Sequence, residues 1–170
     1  MNISKEQAYW AAVKSDFKIF LIHAFRELHP GTNFLDNWHI DAIVNCLESS
    51  IEGKMRRLII NMPPRQLKSF IVSVAFPAFL LGLDPSVKII CVSYGDDLAK
   101  DLARKTRRLL QSAWYKKLYP KVNLVKTAES EIETDEGGIR YATSVGGTLT
   151  GKGGDFIIID DPSKPTGVES

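Results

Sequence analysis

Leu58-Ile59-Ile60-Asn61-Met62-Pro63-Pro64-Arg65-Gln66-Leu67-Lys68-Ser69 decides how the rest of the chain is read. The run from Leu58 to Met62 is almost wholly apolar, the pattern of a strand covered on both faces. Pro63 and Pro64 break it, and the spacing beyond predicts a helix over 68–81. A buried strand that turns straight into a helix is the location of a phosphate-binding loop. There, backbone N–H groups and the helix N-terminus together hold an anion. Pro64, Arg65, Gln66 and Leu67 would form the cradle, Lys68 would reach the β- and γ-phosphates, and the Ser69 hydroxyl would ligate Mg²⁺. Met62 and Leu67 occupy the glycine places of the pattern G-x-x-x-x-G-K-[ST], so the Lys-Ser pair carries the match. A bare Lys-Ser is common, and read alone it marks only a helix start with an exposed lysine.

A second element changes the weight of the first. Phe156-Ile157-Ile158-Ile159-Asp160-Asp161 is an apolar strand ending in two carboxylates. In an open α/β sheet, ligands bind in the crevice at the carboxyl ends of such strands. Asp160 would hold the Mg²⁺ shell, and Asp161 stands where an ATPase carries the residue that polarises the attacking water. The bland reading is a pair of solvent-facing turn residues before Pro162. The glycines at 151, 153 and 154 predict a tight loop with Lys152 at its tip, a cation for transition-state charge or simply a flexible connection. Arg65 is a second candidate for that role and Arg140 a weaker one. Trp38 is a candidate for the adenine face, against the commoner role of core packing. His23 and His29 have no partners at ligand spacing and read as structural.

Outward from these motifs, periodicity predicts a helix over 5–28, stopped at His29-Pro30-Gly31, and a second over 38–51 capped by Asp36. A buried strand over 87–92 leads to a basic helix ending near Ser112, with Asp96 or Asp97 as its cap. Short extended pieces follow at 123–126, 130–134 and 139–143, and Asp135-Glu136-Gly137-Gly138 joins the last two as a hairpin. Strands alternating with helices define an α/β fold around a largely parallel sheet flanked by helices and preceded by N-terminal helices. The organisation expected is a helical segment over 1–53 and a P-loop NTPase core over 54–170. The polar end after the last strand reads as that of a piece of something longer.

Composition sets outer bounds. With 170 residues, 44% hydrophobic and 25% charged, the chain is an ordinary globular domain in make-up. No apolar run approaches a membrane span and the N-terminus has no signal-peptide core, so a cytoplasmic protein with no membrane partner is expected. Cys46 and Cys91, far apart in apolar segments, read as buried free thiols. A net charge of +2 does not announce nucleic-acid binding. Lys100, Arg104, Lys105, Arg107, Arg108, Lys116, Lys117 and Lys121 nevertheless crowd one stretch, either a solvated helix face or a DNA contact.

Taken together, these pieces resemble phage large terminase subunits. Arg57 to Arg65 followed by Lys68-Ser69 is similar to their Walker A, where Pro-Pro-Arg replaces the glycine-led loop. Thr150-Gly151-Lys152-Gly153-Gly154-Asp155 running into Phe156 to Pro162 is similar to the stretch that closes their Walker B strand. The helix with Trp38 and His39 and the Val92-Ser93-Tyr94 motif also correspond, so the resemblance covers most of 34–162. It implies a Mg²⁺-dependent ATPase that drives double-stranded DNA into a procapsid through a portal protein. It implies a homo-oligomeric ring assisted by a small terminase subunit in the host cell cytoplasm, and a C-terminal RNase-H-like nuclease domain expected to be absent here. Leu67 in place of Gly and Asp161 in place of the commoner Glu depart from the pattern, and activity of this chain alone is expected to be low. The alternatives are a helicase-like P-loop ATPase and a truncated prophage remnant that binds nucleotide without turnover.

Overall fold

The computed structural model describes residues 4–149 and 151–163; Thr150 of the glycine-rich stretch and the 164–170 tail lie outside them. The chain packs as two compact units that meet in sequence between Lys68 and Ser69. This boundary falls later than residue 53. The 54–67 segment stays with the helices, its first amides (Lys54 and Met55 N–H) donating to the Ser49 carbonyl.

The first unit contains α1 (Lys5–Ser15), α2 (Phe17–Leu28) and α3 (Trp38–Ile51). The single helix expected over 5–28 is two. Asp16 leaves helical geometry at φ −107° and ψ 116°, and its side chain accepts from Ile19 N–H to cap α2. An aspartate that can hydrogen-bond its own backbone competes with helix continuation, and here it wins. Phe17, Phe20, Leu21, Ala24 and Phe25 form the buried face of α2, and Ile40, Ile43, Val44 and Leu47 that of α3. Asn37, not Asp36, caps α3. Asp36 is instead drawn to Lys18, which reaches Asp36 at 2.8 Å and Asp41 at 2.5 Å and so ties the 30–37 connection to α2 and α3.

The expected strand over 58–62 is absent: the segment is irregular, with Leu58, Ile60 and Met62 half-buried and Ile59 87% exposed. Apolar composition reports a need for burial, which the half-burial of Leu58, Ile60 and Met62 meets in part without a hydrogen-bonded ladder.

In the second unit, Ser69 leads into a π-helical turn, Phe70–Ala75, continued by α4 (Phe76–Leu83). Pro77 explains the widening. An α-helix would need its N–H to satisfy the Ser73 carbonyl, and the ring would collide with that same oxygen. The i→i+5 bond from Phe76 N–H to Ile71 O takes up the misfit. Next come β1 (Lys88–Ser93), α5 (Asp96–Gln111) and α6 (Ala113–Leu118). They are followed by β2 (Leu124–Thr127), β3 (Glu131–Thr134), β4 (Ile139–Ser144) and β5 (Phe156–Asp160).

The sheet runs β2-β3-β4-β1-β5 and is mixed, not largely parallel. β1 lies parallel to β4 and β5, while β2, β3 and β4 form an antiparallel meander. The β3–β4 hairpin turns at Gly137, whose φ of 86° suits glycine. At Gly138 a Cβ would meet Pro85 O at 2.1 Å, so no larger residue fits.

One face of the sheet packs on the π segment and α5, where Ile89, Cys91, Ala142 and Ile158 are buried. β5 is an edge strand, and its other side carries Ile157 and Ile159 at 63% and 61% exposure, so it is not covered on both faces as its apolar run predicts. Among the described residues no helix is long and apolar enough to cross a membrane.

Candidate functional site

Among the described residues, three non-glycine residues have positive φ: Arg65 at 65°, Leu67 at 61° and Asp161 at 46°. All three belong to the two motifs singled out from the sequence. Left-handed backbone costs an L-residue about 1–2 kcal/mol, so these three positions hold strain that the surrounding structure must maintain. Gln66 and Lys68 do not share the positive φ. The sign of φ therefore alternates along the loop; where right- and left-handed residues alternate, successive N–H groups converge on a concavity suited to an anion. Pro64, Arg65 and Gln66 are exposed, while Leu67, Lys68 and Ser69 are half-buried at the point where helical structure begins. Leu67 adopts the geometry a glycine would take there more easily.

In the same unit, α3 and the 58–66 segment enclose an apolar groove of about 470 Å³, lined among others by Trp38, His39, Cys46, Met62, Pro63 and Gln66. Trp38 is 76% exposed, so it is not core. A flat aromatic on one wall and the Gln66 amide on another suit a planar ring with polar edges.

In the second unit, the two carboxylates at the end of β5 diverge. Asp160 is buried, 4% exposed, and its Oδ2 accepts from Ser73 Oγ at 3.1 Å. Asp161 is exposed, and its left-handed turn is anchored by Tyr94 N–H donating to its carbonyl at 3.1 Å. Ser69 stands on the same continuous helical stretch as Ser73, one turn upstream.

No group of three or more His, Cys, Asp or Glu that could hold a metal occurs among the described residues. Mg²⁺ does not need one: it takes one or two protein oxygens and fills its octahedron with phosphates and water. The Ser69 hydroxyl and Asp160 carboxylate are hard oxygen donors of that kind, so their chemistry fits such a cation.

Lys152 is placed elsewhere. Its Nζ pairs with Glu131 at 2.6 Å and lies 4.0 Å from the centre of the Tyr141 ring, over the N-terminal halves of β1 and β4. Asp160 sits at the opposite end of its strand. Arg140 is entirely buried on the helix-facing side of β4, so it is no surface sensor.

Ser73 is the residue sequence reading missed. Its signal was Pro77, which denies the Ser73 carbonyl the i+4 donor of an α-helix. The basic residues of α5 are largely engaged within the chain: Lys100 with Glu129, Lys105 and Arg104 with Asp101, and Arg107 with the Thr127 carbonyl. Lys116, Lys117 and Lys121 are exposed and form no ion pair among the described residues. No protein-family model and no curated protein matches this chain.

Proposed function

We propose that this chain is the nucleotide-binding core of a P-loop motor ATPase of the large-terminase kind. The observation that carries the reading is the alternation of backbone hand at Arg65 and Leu67 immediately ahead of Lys68-Ser69. A lysine-serine pair at any helix start would not require it. In this reading, the amides of 64–68 hold the phosphates, Lys68 offsets their charge, and the adenine stacks on Trp38 in the α3 groove. Ser69 and Asp160 supply the protein oxygens for Mg²⁺, which when bound would offset charge on the β- and γ-phosphate oxygens. Asp161, exposed beside the buried Asp160, orients the attacking water. Because Lys152 is engaged by Glu131, Arg65 is the stronger candidate for the cation that meets transition-state charge.

The wider role follows from the resemblance. It is translocation of double-stranded DNA into a procapsid by a homo-oligomeric ring, with a portal protein and a small terminase subunit, in the host cell cytoplasm. A second reading, a module that holds nucleotide without turnover, draws on the placement of Lys152 away from Asp160.

Calorimetry of Mg·ATP binding to this chain and to Lys68→Ala and Asp160→Ala tests the proposal. Binding by the parent that weakens in both variants supports it; a parent that ignores millimolar ATP sinks it. Phosphate release then separates the two readings, since the holding module gives none.

A further inference from the structure

Arg140 is 0% exposed, and among the described residues only its Nη2 has an acceptor, the Ser73 carbonyl at 3.2 Å. Nε and Nη1 are buried with no hydrogen-bond partner among the described residues. An arginine cannot shed its proton, so this is a permanent buried charge with unmet donors, an arrangement that costs several kcal/mol unless something offsets it. Capping the carbonyl that Pro77 orphans does not account for it. A neutral donor would suffice there, and the Thr106 hydroxyl, whose one proton goes to the Leu102 carbonyl at 3.0 Å, lies 3.4 Å from the same oxygen.

What Arg140 adds is charge, and Ser73 links it to the opposite one. Arg140 on β4, Cys91 on β1 and Asp160 on β5 stand on one face of three adjacent strands. The Cys91 thiol is pushed up mainly by burial, and it also feels the Arg140 cation and the Asp160 carboxylate in opposite senses. Ser73 joins the two charges. Its carbonyl accepts from Arg140 and its hydroxyl donates to Asp160 Oδ2.

We propose that Arg140 and Ser73 are positioning residues for Asp160. Through the π-helical turn Arg140 fixes the Ser73 peptide, and Ser73 fixes the carboxylate in the orientation that receives the cation of a bound nucleotide. This rests on the P-loop reading above and names a support that the reading does not contain. The π turn is part of the device, because it presents the carbonyl and the hydroxyl of one residue to two different strands.

The test is ATP affinity of the full chain by calorimetry, in EDTA and across a Mg²⁺ titration, with each variant's melting curve recorded alongside. Ser73→Ala and Arg140→Lys are expected to raise the Mg²⁺ concentration for half-maximal effect about 10-fold, the loss typical of removing an outer-shell partner of a metal ligand. Affinity in EDTA stays at the parent value. Ser73→Thr, which keeps the hydroxyl, restores the midpoint, and Thr106→Val leaves it unchanged. If Arg140→Lys does not fold, Ser73→Ala decides alone. A merely structural role lowers the melting temperature and leaves the Mg²⁺ midpoint where it was, and that result overturns the proposal while the P-loop reading survives. A parent that binds no ATP in any condition overturns both.

Discussion

Arg65 and Leu67 hold nearly the same left-handed backbone, at φ 65° and 61°, on either side of Gln66. Neither is the residue type that takes this conformation without cost. Leu67→Gly is therefore expected to relieve about 1–2 kcal/mol of strain against about 0.5–1 kcal/mol of added chain entropy, a net gain in stability. Leu67→Ala keeps the strain and loses packing, so it destabilises. Urea melts of the two variants check this, and equal destabilisation by Gly and Ala would show that the loop geometry is not what limits stability here.

Cys46 reports on the groove beside α3. It is half-buried and lines that groove with Trp38 and Gln66, whereas Cys91 is buried in the sheet. Alkylation of the native protein should label Cys46 first and Cys91 only on unfolding. Saturating ATP should slow labelling of Cys46. Unchanged labelling with ATP bound would move the base out of this groove.

A pH effect is expected from His23. Burial lowers its pKa below the usual 6.5, and its Nδ1 meets the Tyr9 hydroxyl at 3.1 Å. The unfolded chain then binds more protons than the folded one between the lowered value and 6.5. Stability is full above about 6.5 and declines as the pH falls through that window. Thermal melts from pH 8 to pH 5 should show the decline in the parent and a smaller one in His23→Gln. Parallel curves would mean that other groups dominate.

If duplex DNA is a partner, the unpaired cations should hold its phosphates. Neutralising Lys116, Lys117 and Lys121 together is expected to flatten the dependence of log affinity on log salt by about 0.9 for each phosphate that these lysines neutralise in the parent. Lys105→Gln, which removes a cation already paired with Asp101 at 2.6 Å, should change it little. Fluorescence anisotropy at several KCl concentrations reads both slopes. An unchanged slope in the triple variant would remove this surface from the interaction.

Much of the fold was legible because local rules act within a few residues. The hairpin at Gly137, the strands over 87–92 and 156–159 and the stop at His29-Pro30-Gly31 follow from turn chemistry and apolar period. Where the reading departed from the structure, a longer-range choice had intervened. Asp16 split the first helix by capping the second. The 58–62 run stayed irregular and did not enter the sheet, and β5 became an edge. Apolarity measures the drive for burial and is silent about which strand supplies the ladder.

The candidate site divides in the same way. The sequence by itself named the candidate residues, and Pro77 by its missing N–H denied the Ser73 carbonyl its i+4 donor. Only the tertiary structure decided that the donor is Arg140 and that the Ser73 hydroxyl answers to Asp160. It also drew Lys152 to Glu131, far along the strand from Asp160. A backbone constraint is written in the residue that imposes it, whereas the partner of a side chain is set by strand order and register, which depend on contacts distant in sequence.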